Sequence, residues 1–161
     1  MRIPMDKIHK PGLKLTADHT DDWVNAATRS VRGTPGEPTQ DPHEEEGALS
    51  ASIAFMVRRR DEQLQVEGTV SVVLLCACDR CGASVQRSIA GEINHLYKPP
   101  SDTETELERD LEAGDLDVGW HDGKALDLEM VLSEALALLG PDRVFCGDEN
   151  VLRISDEGPC E

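Results

Sequence analysis

The sequence predicts an α+β fold: a curved antiparallel sheet of roughly five to seven strands, partly barrel-like, with two helices packed on it. Three observations carry this expectation. From Leu64 to Cys78 the even positions are Leu64, Val66, Gly68, Val70, Val72, Leu74, Cys76 and Cys78, while the odd ones begin Gln63, Gln65, Glu67, Thr69 and Ser71. A strict period of two is a strand with one buried face. Past a turn holding Cys78-Asp79-Arg80-Cys81-Gly82, Val85, Ile89 and Ile93 alternate with Gln86, Ser88, Ala90, Glu92 and Asn94, and so form the return strand. Farther on, Leu128, Val131, Leu132, Ala135, Leu136 and Leu139 recur at the spacing of one broad helix face.

The elements follow in order. Ile3, Met5 and Ile8 alternate with polar residues and suit a short strand on the main sheet. Thr20-Asp21-Asp22 supplies an N-cap and first-turn acids for a helix that gathers Trp23, Val24, Ala27 and Val31 on one face and stops at Gly33 and Pro35. Trp23 reads as a core anchor of that face. Residues 33–47 hold three prolines and the run Glu44-Glu45-Glu46, so they read as a loop or linker. Ile53, Phe55 and Val57 mark a strand that ends at Arg58-Arg59-Arg60-Asp61. On the return strand, Arg87 interrupts the apolar face and Gly91 reads as a bulge. A second acidic insert fills 99–115. Leu116, Val118 and Trp120 then alternate before Asp122-Gly123, a favoured hairpin turn that predicts a short strand pair. Asp127 caps the Leu-rich helix and Gly140-Pro141 ends it.

The chain has 161 residues, enough for one domain, 1–161, with flexible acidic inserts near 33–47 and 99–115 and a tail at 147–161. Its formal charge of −16 is unevenly placed. Residues 1–98 hold 12 Lys and Arg against 14 Asp and Glu, whereas residues 99–161 hold 4 against 18. Such an acidic surface repels phosphate and favours a basic protein partner over direct RNA or DNA binding. No signal peptide or membrane span is visible, which implies a cytoplasmic protein. Arg58, Arg59, Arg60, Arg80, Arg87 and Lys98 suggest a small basic patch on the hairpin, read either as an RNA-binding module or as a solvated hairpin end.

Five cysteines without an export signal suit reduced or metal-bound thiols better than a disulfide framework. Cys78-x-x-Cys81 aims two sulfurs at one point, half of a structural zinc site. Cys146 and Cys160, separated by thirteen residues, can supply the other half. Three readings stay open: a zinc site of Cys78, Cys81, Cys146 and Cys160; thiols that cap a turn without metal; and a redox couple. The last suits the pair least, because an active C-x-x-C usually sits at a helix N-terminus that lowers the thiol pKa, and this one joins two strands. Cys76 falls on the apolar face, as a small core residue. His43 and His121 are further candidates for a fourth ligand. No Ser-His-Asp order, phosphate loop or H-E-x-x-H pattern is present, so no catalytic residue is assigned and the chain reads as non-enzymatic.

Several separated landmarks resemble the YceD family, the large ribosomal RNA subunit accumulation proteins. They are Leu75-Cys76-Ala77-Cys78-Asp79-Arg80-Cys81-Gly82, then Tyr97-Lys98-Pro99, the acidic segment 101–115, Asp122-Gly123, Leu126-Asp127-Leu128, Glu134, Pro141 and Cys146. Many chains of this kind carry further tail cysteines, often as a second C-x-x-C, and this chain departs from that pattern. The resemblance spans about Arg60 to Cys146. It implies a cytoplasmic factor in biogenesis of the large ribosomal subunit, with a ribosomal or ribosome-assembly protein as partner, and it implies no catalytic residue.

Overall fold

The computed structural model describes residues 1–9, 11–32, 43, 46–99, 118–141 and 143–154. Most of the two acidic inserts, Leu116 and Cys160 lie outside the described residues. The elements are β1 (Arg2–Pro4), a 3-10 turn (Met5–Lys7), β2 (Leu13–Asp18), α1 (Asp22–Arg32), β3 (Ser50–Arg60), β4 (Gln63–Ala77), β5 (Ser84–Lys98), β6 (Val118–Trp120), β7 (Ala125–Asp127), α2 (Leu128–Leu139) and β8 (Val151–Arg153). The fold is α+β and mostly antiparallel.

The main sheet runs β2-β3-β4-β5-β6, and β8 also joins β5. Its order ends at β2 on one side and at β6 on the other, so it is open, and the barrel-like expectation finds no support. The β4–β5 hairpin is its spine, paired without a break from Leu64↔Tyr97 to Ala77↔Ser84. Leu64, Val66, Val70, Val72 and Leu74 of β4 are buried with Ile89, Ile93 and Tyr97 of β5, as the alternation requires. At the other end of β4, Asp61 turns the chain from β3 in the left-handed region (φ 55°), a conformation that Asp tolerates better than most residues.

Gly91 is not a bulge. It keeps its place opposite Val70, and a Cβ there would lie 2.4 Å from Leu139 Cδ2, so the missing side chain lets α2 lie against the strand. Arg87, the other irregularity of that face, points its guanidinium at the far end of the same helix, where Nη2 donates to the Pro141 carbonyl (2.8 Å).

α2 begins as the sequence predicts: Asp127 Oδ1 accepts the Glu129 amide at 3.1 Å. Its Leu128, Val131, Leu132, Ala135 and Leu136 are buried. Val24 and Ala27 of α1 join the same core, with Trp23 and Val31 packed against it.

Two expectations need correction. The N-terminal strand pairs with β7 in a separate two-stranded sheet, Ile3 opposite Leu126, rather than with the main sheet. The segments flanking Asp122-Gly123 do not pair with each other: β6 runs parallel to β5, and β7 goes to β1. The cause is the Asp122 carboxylate, which accepts the amides of Lys124 (2.9 Å) and Ala125 (2.8 Å) and folds the link back on itself as an Asx turn. Gly123 adopts φ +75° there. Within the tail, Val151–Arg153 forms β8.

Candidate metal centre

The distal end of the hairpin is a second, smaller core separate from the main one. Cys76, Cys78, Val85 and Val144 are buried there, with Phe145, Cys146 and Val151 packed against them. The turn between β4 and β5 is built to present sulfur. Cys78 N donates to Ala83 O and Gly82 N donates to Cys78 O, both at 2.9 Å, which closes the loop tightly around the pair. Gly82 completes it at φ +72°, where any other residue would be strained. The amides of Cys81 and Arg80 also point at Cys78 Sγ.

The segment after α2 is stitched onto this turn. The Asp79 amide donates to Val144 O (2.8 Å), and its carboxylate Oδ2 accepts the Val144 amide (2.5 Å). The Arg80 guanidinium lies 5.2 Å from the centroid of the Phe145 ring. These contacts bring Cys146 to the hairpin: its amide donates to Cys78 Sγ at 3.3 Å, and its Sγ lies 3.6 Å from Cys81 Sγ.

The sulfurs of Cys78, Cys81 and Cys146 all lie within 4.8 Å of one another. Tetrahedral Zn–S bonds of about 2.3 Å put neighbouring sulfurs about 3.8 Å apart, so the cluster is close to the size that zinc requires. The electrostatics point the same way. Burial pushes the Cys78 thiol up, but the amides of Cys81, Arg80 and Cys146 and the Cys146 thiol outweigh it and bring Cys78 to about 6. Burial, followed by the neighbouring Cys78 and Cys81 sulfurs, pushes Cys146 up to about 12. A second negative sulfur is resisted until a cation enters, and a metal ion reverses that preference.

Of the four cysteines expected to bind metal, three converge; Cys160 lies outside the described residues. Neither candidate histidine joins them. His43 places Nε2 3.0 Å from Ser84 Oγ and Nδ1 3.1 Å from Glu46 Oε1, a hydrogen-bonded chain with a half-exposed Glu46 that no sequence order announces. His121 faces Glu62 O through Nε2 and accepts the Gly123 amide on Nδ1. The arginines do not form one patch. Arg58, Arg59, Arg60 and Lys98 lie at one end of β4 and Arg80 beyond the other, about 50 Å of extended strand apart. Arg58 pairs with Glu67, and Arg59 Nη1 donates to Met5 O (3.3 Å). The clamp residues Asp79 and Val144 escaped sequence reading, because their pairing spans 65 residues and leaves no local pattern.

A family model described as large ribosomal RNA subunit accumulation protein YceD matches residues 66–160, more than half of the chain. The chain belongs to the YceD family. The match runs from β4 through the β4–β5 turn, α2 and the segment carrying Cys146, so the cysteine cluster falls inside the family's own region. The YceD name ties the chain to accumulation of large-subunit ribosomal RNA. No curated protein and no solved structure matched it. Among the described residues, no helix is long and apolar enough to cross a membrane.

Proposed function

We propose that this YceD protein is a non-enzymatic, cytoplasmic assembly factor of the large ribosomal subunit. In this reading it works as one domain that holds a basic ribosomal or assembly protein before ribosomal RNA takes its place. Membership of the family is the observation that carries the reading. The charge distribution supports the finer part: with 4 Lys and Arg against 18 Asp and Glu, residues 99–161 attract a basic partner and repel phosphate.

The cysteine cluster serves the same reading as a structural centre, and we infer that it takes one zinc ion. The sulfur spacing and the low thiol pKa of Cys78 support this.

Cells lacking the protein are expected to show a lowered ratio of large- to small-subunit ribosomal RNA and a deficit of large subunits on sucrose gradients. An unchanged ratio and profile would remove the assembly role. Pull-down with the full chain should recover a basic ribosomal protein at low salt and lose it at high salt, because the attraction is screened. Recovery of no such protein at low salt would count against the partner.

A further inference from the structure

Residues 143–154 dock on the hairpin through a short strand, a few hydrogen bonds and the small distal core. Val144 is the one residue of this segment that is buried, and it belongs to the small distal core, not the main one. β8 contributes three register pairs, Val85↔Arg153, Gln86↔Leu152 and Arg87↔Val151. Leu152 remains 65% exposed and Ile154 49% exposed. The remaining ties are the paired hydrogen bonds between Asp79 and Val144, the single bonds from Cys146 N to Cys78 Sγ, Ser88 N to Asn150 O and Ile154 N to Ser84 O, and the Arg80–Phe145 contact. Short pairing, a small core and exposed apolar side chains describe a segment that opens easily by itself.

Against this weak dock stands the sulfur cluster, which joins Cys146 of the segment to Cys78 and Cys81 of the hairpin turn. A metal bond there closes a loop of more than sixty residues, the case in which a cross-link restrains the open state most. Among the described residues no other His, Cys, Asp or Glu offers a ligand atom to the group, and Cys81 is exposed.

We infer that Zn²⁺ held by the thiolates of Cys78, Cys81 and Cys146 is the lock that keeps residues 143–154 docked on the hairpin, and that these three protein ligands suffice. This rests on the zinc reading of the cluster. It makes docking of the C-terminal segment conditional on metal: loss of zinc frees Val144, Phe145 and β8 while β3, β4 and β5 stay paired.

Zinc content and amide hydrogen exchange, measured together on the full chain, test this. Wild-type protein purified without chelator and the Cys160→Ser variant should each hold one zinc ion per chain. The amides of Val144, Val151 and Ile154, which donate to Asp79, Asp148 and Ser84, should be protected in both. Chelation, or Cys146→Ser, should remove the zinc and raise exchange at those amides at least about tenfold, with the central β4–β5 amides unmoved. Zinc-free protein with β8 still protected would overturn the lock, because hydrogen bonds alone would then hold the segment. Zinc loss in Cys160→Ser would overturn the three-ligand set. Wild-type protein without zinc would sink the zinc reading itself and the lock with it.

Discussion

Tyr97 is wholly buried, and its hydroxyl donates to Glu134 Oε2 at 2.7 Å, tying β5 to α2. Gly119 leaves room for the ring: a Cβ there would lie 2.3 Å from Tyr97 Cε1. Burial first, and then the hydrogen bond to Glu134 and its negative charge, push ionisation of this phenol well above its ordinary value. The unfolded chain ionises its tyrosine near about 10 and the folded one does not, so this contribution to stability is complete below about pH 10 and declines above it. Because Tyr97 is the sole tyrosine, tyrosinate absorbance in an alkaline titration should appear only together with loss of far-UV circular dichroism. Its appearance in still-folded protein would contradict the assignment. Tyr97→Phe should lose about 1.5–3 kcal/mol in urea unfolding, the range for a hydrogen bond to a charged group. Both residues were visible in the sequence as separate landmarks. Their bond was not, since it crosses 37 positions and nothing local encodes a partner at that distance. Cys146 and Cys81, 65 residues apart, stand differently: the sequence already offered Cys146 as a ligand beside the C-x-x-C turn, and what the fold adds is the distance of 3.6 Å between the two sulfurs.

Two glycines of the hairpin show how tightly its strands are set. Gly68 lies opposite Phe55, where a Cβ would meet the backbone oxygen of Ala54 at 2.0 Å, whereas a Cβ on Gly91 meets only the Leu139 side chain. Backbone cannot step aside within a paired strand, but a leucine can change rotamer. Gly68→Ala should therefore lower stability by about 1–3 kcal/mol, the usual range for overpacking, and Gly91→Ala by less, as read from urea midpoints. Equal effects would mean that the sheet gives way locally at both places. The long elements were readable because each repeats its pattern many times: β4 shows period two over 15 residues, and α2 carries a full apolar stripe between a capping Asp127 and Gly140. β2 and β8 escaped notice. Leu13, Leu15 and Ala17 alternate too briefly to stand out, and β8 has three residues. At Asp122-Gly123 the dipeptide correctly marked a turn, but which strand each arm would join depended on edges supplied by β1 and β5.

Across the molecule, charge is sorted more sharply than shape. The basic side chains of the hairpin divide between its two ends, and several are already engaged: Arg58 with Glu67, Arg80 with Phe145 and Arg87 with Pro141. A strand of phosphates would have to span both ends past an acidic C-terminal third to use them together. Mobility-shift assays at about 0.15 M salt should accordingly show no retention of ribosomal RNA by the protein alone. Retention that falls when Arg58, Arg59 and Arg60 are replaced would restore the hairpin arginines as an RNA site. The parallel pairing of β6 with β5 has one more consequence. Because Leu96 lies beside Val118 and Lys98 beside Trp120, the chain leaves the sheet at Lys98 and re-enters it about 8 Å away. Nineteen residues lie between these two neighbouring positions of the sheet. Because the exit and entry points are neighbours and loop closure depends only weakly on length, a fluorescent domain or affinity tag inserted between them should leave β5, β6 and α2 in register.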